Sequence, residues 1–429
     1  MPRKLRIPLS LRYLNASSPD LSRGTRDAGR PGVAVTFLRW TGLRAACHRG
    51  FVLASGLYFV VHDHLTAAQL LLLGTVMSLT LVLSDIPAGV WSDAFSRKWP
   101  LVIGHGFLAA GMIMTGLVTA FPLVIVTQVL GALGWACSIG ADVAWLTDEL
   151  NQPDRIARAL TARARRDLAG GAVGMVGFGV LAWAAGLATA IIASGAAMAV
   201  TGLFVAVRFP EDNFVRASGR PWTASLTVFR RGLSLTRRDR EIWLVFAATM
   251  IINAASMTTR LFPLQLIDLG FPNDPVLWYT GLSILASVVG MAALRLVEAR
   301  IDGVGVARRA YALACLVGVI GLVLLACAPT ALIGSAGVLL ASGIAYNVTR
   351  AVSEIWVNRR TTSDVRATLH SFLSQAESVG EIIGGVALAL VARAAGASVT
   401  LITAAALIAL TGLLVARSRT DGPAPSARE

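Results

Sequence analysis

The sequence predicts an all-α membrane protein, and three observations lead there. The chain of 429 residues is 55% hydrophobic, with a mean hydropathy of +0.68. Its apolar residues fall in successive runs of about 20, the length of helix that crosses a bilayer core. Its charged residues lie mostly between those runs. A spanning β-barrel would instead show alternating strands of about ten residues, and none appear.

Twelve spans are read from the runs: 36–61, 68–90, 100–119, 123–146, 168–186, 188–207, 242–262, 276–297, 309–327, 330–352, 369–392 and 397–416. Short hairpins at Phe121-Pro122, Ala185-Gly186 and Ala328-Pro329 separate several of them. The net charge of +14 would suggest nucleic acid in a soluble chain. Here it has a topological meaning, and nucleic acid is not an expected partner. With the N-terminus inside, the tails and the segments 91–99, 147–167, 208–241, 298–308 and 353–368 hold most of the arginines and lysines. The opposite loops hold essentially none. The positive-inside rule therefore puts both termini in the cytoplasm of a multi-pass inner-membrane protein.

Residues 1–35 read as a disordered basic tail, too long for a signal-peptide n-region. Residues 208–241 divide the chain into six spans (36–207) and six more (242–416), with 417–429 as a second tail. Within the divider, Leu226, Phe229 and Leu233 recur at helical spacing among arginines. That pattern predicts an amphipathic helix at the lipid interface. The halves echo each other: "DVAWLTDELNQPDRIARAL" follows the fourth span and "VSEIWVNRRTTSDVRATL" the tenth. Cys47, Cys137, Cys315 and Cys327 lie inside apolar runs without paired spacing. They read as small buried hydrophobes, not as a disulfide framework or a metal site.

The loop after the second span, "GVWSDAFSRKWP" (89–100), packs opposite charges into a short stretch. Gly89 would let the end of helix two approach a neighbour. Asp93 is an anion suited to a helix start. Arg97 and Lys98 are cations able to pair with acids on an adjacent helix end. The loop resembles the signature G-x-x-x-D-[RK]-x-G-[RK]-[RK] of the major facilitator superfamily at Gly89, Asp93, Arg97 and Lys98, with Ala94 and Ser96 as departures. "DIPAG" before it, "GADVAWLTDEL" in span four and "VRATLHSF" at span eleven resemble that family too, so the likeness runs over about residues 36–416. It implies two pseudo-symmetric six-helix bundles. It also implies that Asp93 docks on helix eleven near Leu369, and that Arg97 pairs with Asp142 or Asp148. Such a cluster would close an inner gate through exposed pairs worth about 1 kcal/mol each.

Ionisable groups within spans are costly and are candidate sites. Arg49 stands near the middle of span one, with Arg44 and His48 close by, and needs an acid or an anionic ligand. Asp85, Glu377 and Glu381 are the acids considered for it. Glu377 and Glu381 share one helical face, which suits a proton carrier, a cation site or a buried ion pair. Asp85 also reads as a brace for the gate. Arg350 and Glu354 are spaced to neutralise each other. His62-Asp63-His64 forms the first outer loop and is not expected to hold a metal.

No GK[ST] phosphate loop, HExxH, GxSxG elbow or TVGYG filter is present, so neither an enzyme nor a channel of those types is expected. The resemblance implies a monomeric secondary transporter working by alternating access. Its expected action is proton-coupled export of a small lipophilic compound, without a cofactor. An uptake carrier for an anionic metabolite, clamped by Arg49, and a non-transporting receptor on the same fold are the alternatives.

Overall fold

The computed structural model describes residues 32–214, 240–271, 274–298, 304–360 and 363–417. The amphipathic helix expected at 226–233, most of the first tail and nearly all of the second lie outside the described residues.

Helices and short connections make up everything described. They are α1 (Gly32–Val61), α2 (Ala67–Ala94), α3 (Lys98–Thr115), α4 (Phe121–Ser138), α5 (Ala141–Leu150), α6 (Pro153–Ala185) and α7 (Leu187–Arg208). After the divider come α8 (Arg240–Ser256), a 3₁₀ turn (Met257–Leu261), α9 (Phe262–Asp268), α10 (Pro275–Glu298) and α11 (Val304–Ala326). Then come α12 (Ala331–Val338), a π-helical stretch (Leu339–Ala345), α13 (Tyr346–Arg360) and α14 (Ser363–Arg417). Nine helical stretches among the described residues are long and apolar enough to cross a membrane.

Local chemistry sets the breaks. Thr66 caps α2 through a reciprocal box with Gln69, satisfying orphan N–H groups at the helix start. Gly140 (φ 80°) separates α4 from α5, and Gly186 (φ 90°) turns α6 into α7 within one residue. Gly396 (φ 84°) interrupts α14, so its two arms are separate rods. The segment 147–167, read as lying between spans four and five, is largely helical. Pro153 opens α6, and "RIARALTARARRDL" is helical throughout. Alanine and arginine favour helix, and proline is preorganised for a first helical position, so the helix starts 15 residues before the apolar run.

Lipid tails are as apolar as leucine, so helices in a bilayer associate through close backbone contact between small residues. Two such contacts repeat here. Gly170 and Gly174 of α6 lie against Gly42 and Ala46 of α1. Gly380 and Gly384 of α14 lie against Met250 and Ala254 of α8. Helices α1–α7 pack mainly on one another, as do α8–α14. The two groups meet along α2 and α14 and along α6 and α10.

The end of the molecule carrying the 95–97 and 151–152 connections is called the basic end. Of the four apolar clusters among the described residues, one combines both groups. It contains Leu57, Leu70 and Leu71 with Leu261, Leu388 and Ala392, and it lies at the far end. Toward the basic end each group has its own core, around Trp40 and Trp145 in the first and around Tyr311 and Trp356 in the second.

Candidate functional site

A cavity of about 640 Å³ lies between the groups, below the far-end cluster. Its wall runs from Phe59, Leu70 and Tyr279 down to Leu168 and Leu294, which face the basic end. Irregular backbone at membrane depth is tolerated where it lines a cavity. Both irregular segments of the second group do so: the 3₁₀ turn presents Arg260, and the π stretch presents Ser342, with Asn347 just beyond.

Two arginines line the cavity from opposite sides, Arg49 on α1 and Arg260 on the 3₁₀ turn. Glycines make the space for them. A Cβ on Gly171 would stand 3.0 Å from Cγ of Arg49, and one on Gly74 would stand 2.9 Å from Cδ of Arg260. Arg49 forms no hydrogen bond or ion pair among the described residues. Arg260 has only a 3.6 Å contact with the Met77 sulfur, and the charge that acts on it is that of Glu381. No acid of the described residues lines the cavity. The rest of the wall is soft and apolar (Met77, Met112, Met175, Met291, Phe51, Phe262) with amide and hydroxyl groups such as Gln128 and Ser283.

The acids read as candidates lie elsewhere. Glu381 accepts a 2.5 Å hydrogen bond from Ser78, joining α14 to α2 across the two groups. Glu377 is 3.3 Å from Arg350, which is also 3.5 Å from Glu354. The pairing of Arg49 with Asp85, Glu377 or Glu381 is therefore not found. Asp85 is half-buried on α2 and has no bond among the described residues.

The loop after α2 is closed on its own group. Arg97 pairs with Asp93 one turn earlier and, at 3.3 Å, with Asp148 on α5. Asp142, the other acid considered, is instead held by Arg163 at 2.6 Å, with Arg44 at 3.9 Å. Asp93 is 45% exposed, and no bond from it to the helix near Leu369 occurs among the described residues. The close approach expected at Gly89 is also absent here. A Cβ there would meet nothing within 4 Å, because the groups are apart at this end. The helix-start role expected of Asp93 falls to Glu211. That carboxylate accepts from the Ser96 hydroxyl at 2.8 Å and from the N–H groups of Arg97 and Lys98 at 2.6 and 3.1 Å. The departure at Ser96 thus has a partner.

A profile of the Major Facilitator Superfamily matches residues 41–341. The chain belongs to the Major Facilitator Superfamily. It is a transporter and not an enzyme. Solved structures extend the likeness over the whole fold. The nucleoside transporter NupG is 14% identical, with a TM-score of 0.73 over 90% of this chain and 100% of that one. A bacterial homologue of the human lysosomal transporter Spinster, in an inward-facing and unoccupied conformation, is 14% identical, with a TM-score of 0.69 over 91% and 96%. A POT family transporter in complex with 5-aminolevulinic acid is 11% identical, with a TM-score of 0.66 over 91% and 96%. No curated protein matches the sequence.

Reading the sequence missed Glu211, Arg260 as a cavity residue, and a buried cluster in the second group. There Arg308 lies 2.5 Å from Glu241, whose other oxygen accepts from the Trp356 indole at 3.3 Å. The tryptophans of the two echo segments supplied a signal that went unused. Trp145 donates to the Pro210 carbonyl at the start of the divider, and Trp356 to Glu241 at its end.

Proposed function

We propose that this chain is a twelve-span secondary transporter of the inner membrane, with two six-helix halves and both termini in the cytoplasm. It moves a small amphipathic organic anion by alternating access. One observation carries the substrate class: two arginines from opposite halves enter a cavity whose described lining holds no acid. Arg49 is exposed to the cavity without a partner among the described residues, and half-buried Arg260 feels only the charge of Glu381, so an anionic ligand bridging Arg49 and Arg260 would give both cations a charge-assisted contact and draw the halves together. The methionine and phenylalanine wall suits a ligand with a lipophilic body. An organic cation fits poorly, since both charges it would meet repel it.

With the basic end in the cytoplasm, the cavity faces inward and the far-end cluster is the closed outer gate. Asp93, Arg97 and Asp148 wait on one half. In the outward-facing state the exposed Asp93 and the uncovered Gly89 would meet the second half. The proton is the proposed coupling ion and Glu381 its carrier. When charged, this carboxylate binds Ser78 across the halves and opposes an anion at Arg260. Protonation removes that opposition. In proteoliposomes, organic carboxylates should support counterflow and quaternary ammonium compounds should not, and Glu381→Gln should abolish substrate-linked proton flux. Counterflow of the ammonium compounds alone would overturn the substrate class; unchanged flux would overturn the coupling role.

A further inference from the structure

A second chamber of about 210 Å³ adjoins the central cavity. Its walls are Arg44, Ala45, His48, Arg49, Trp135 and Asp167. His48, Arg49 and Trp135 also line the central cavity, so these three form the partition between the two spaces. Arg44 lies about one turn nearer the basic end on α1, and Asp167 is one turn before Gly171 on α6. The chamber therefore sits on the basic-end side of Arg49.

Three features suit an oxyanion there. Arg44 is 6% exposed, and its guanidinium lies over Trp40 and Trp135, at 4.6 and 5.2 Å from the ring centroids. It shares Asp142 with Arg163, which holds that acid far more closely, at 2.6 Å against 3.9 Å. Around the chamber stand three cations, Arg44, Arg49 and Arg163, and two acids, Asp142 and Asp167, so one positive charge is uncompensated. The third feature is an orphan. Nδ1 of His48 is buried without a hydrogen-bond partner, while the ring stands edge-on to Trp135 at 4.8 Å. Protonated at Nδ1, it donates to an anion. At roughly 30 Å³ per water the space holds about seven waters, or one carboxylate with part of its body.

We propose that this chamber is a second anion station, which takes the carboxylate or other oxyanion head of the ligand between Arg260 and the cytoplasm. The proposal rests on the reading of the central cavity as an anion site. Arg49 serves both stations, so the head group moves from a site shared with Arg260 to one shared with Arg44 without crossing an uncompensated gap. Asp167 opposes the anion in the chamber and keeps the station weak enough to release it.

The test is titration calorimetry of the full chain in detergent with 4-iodobenzoate, together with location of the iodine by anomalous scattering. Two sites are expected. Arg260→Gln should remove the central one and leave the chamber. His48→Phe should weaken the chamber at least about tenfold, with a much smaller effect on the central site, whose wall His48 also joins. Asp167→Asn should tighten the chamber about tenfold, since a like charge is removed from a partly desolvated space; a misfolded variant would not gain affinity. A single site lost in Arg260→Gln and indifferent to His48→Phe and Asp167→Asn would overturn the station and leave the cavity reading intact. Absence of binding to any form would overturn both.

Discussion

Gly174→Ala offers the sharpest stability test of how the helices are held. A Cβ at position 174 would stand 2.5 Å from Cα of Ala46 and closer still to its carbonyl oxygen. Carbon atoms pack at about 3.5–4.0 Å, so α1 and α6 must separate locally by roughly 1 Å. The obstructing atoms are backbone, and no rotamer change relieves them. One turn earlier Gly170 meets Gly42 in the same way, its Cβ position 2.8 Å from Cα of Gly42, so the strain cannot be passed along the helix. Overpacking of this kind costs about 1–3 kcal/mol. Gly177, three residues on, is the internal control, because a Cβ there meets nothing within 4 Å. Gly177→Ala should be neutral or stabilising by up to about 1 kcal/mol, from helix propensity alone. Thermal melting of the purified chain in detergent, followed by unfolding in graded denaturing detergent, reads the difference. Gly174→Ala should melt clearly below wild type and Gly177→Ala at or above it. Equal melting of the two variants would refute the close contact of α1 with α6.

Other expectations concern charges. Glu241→Gln removes the carboxylate 2.5 Å from the buried Arg308 guanidinium and should cost up to about 3–5 kcal/mol. A double change of Glu241 and Arg308 to methionine should recover much of that in the same melting assay. Ser96→Gly restores the glycine usual in the family but removes the hydroxyl bonds to Glu211 and to the Trp99 N–H. The expected loss is about 0.5–1.5 kcal/mol, and no loss would mean that Glu211 holds the loop through backbone alone. Asp63, between α1 and α2, has both carboxylate oxygens buried without a partner among the described residues, and burial pushes its pKa up to about 6. The fold prefers the protonated form. Its contribution is therefore complete below the ordinary aspartate pKa of about 3.9 and is lost as pH rises through about 6. Melting temperature should fall across that window in wild type and stay flatter in Asp63→Asn; parallel curves would remove Asp63 from the account.

The fold was legible because the bilayer imposes a length and a charge rule on every span. Breaks at Gly186 and Gly396 could be placed to within a few residues. Boundaries failed where helix continues beyond an apolar run, as at Pro153–Asp167, because hydropathy reports apolar character and not helix formation. Site reading was less complete. Arg49 and Arg260 both lie within spans, but only three-dimensional placement shows them facing one cavity while Arg350 and Glu377 neutralise each other. Glu211 escaped notice because it lies 115 residues from Ser96 and after five intervening helices. Gly89 and Asp93 carry a motif whose expected contacts with the second group do not occur among the described residues.

The most direct measurement is equilibrium binding of an organic carboxylate to the wild-type chain and to Arg49→Gln and Arg260→Gln, with quaternary ammonium compounds as competitors. Removing either arginine from a charge-assisted contact should weaken binding by about 1.5–3 kcal/mol, a factor of roughly 10 or more, while the cations fail to compete. Undiminished binding in both variants, or displacement of the carboxylate by a cation, would contradict a ligand held between the two halves by its negative charge.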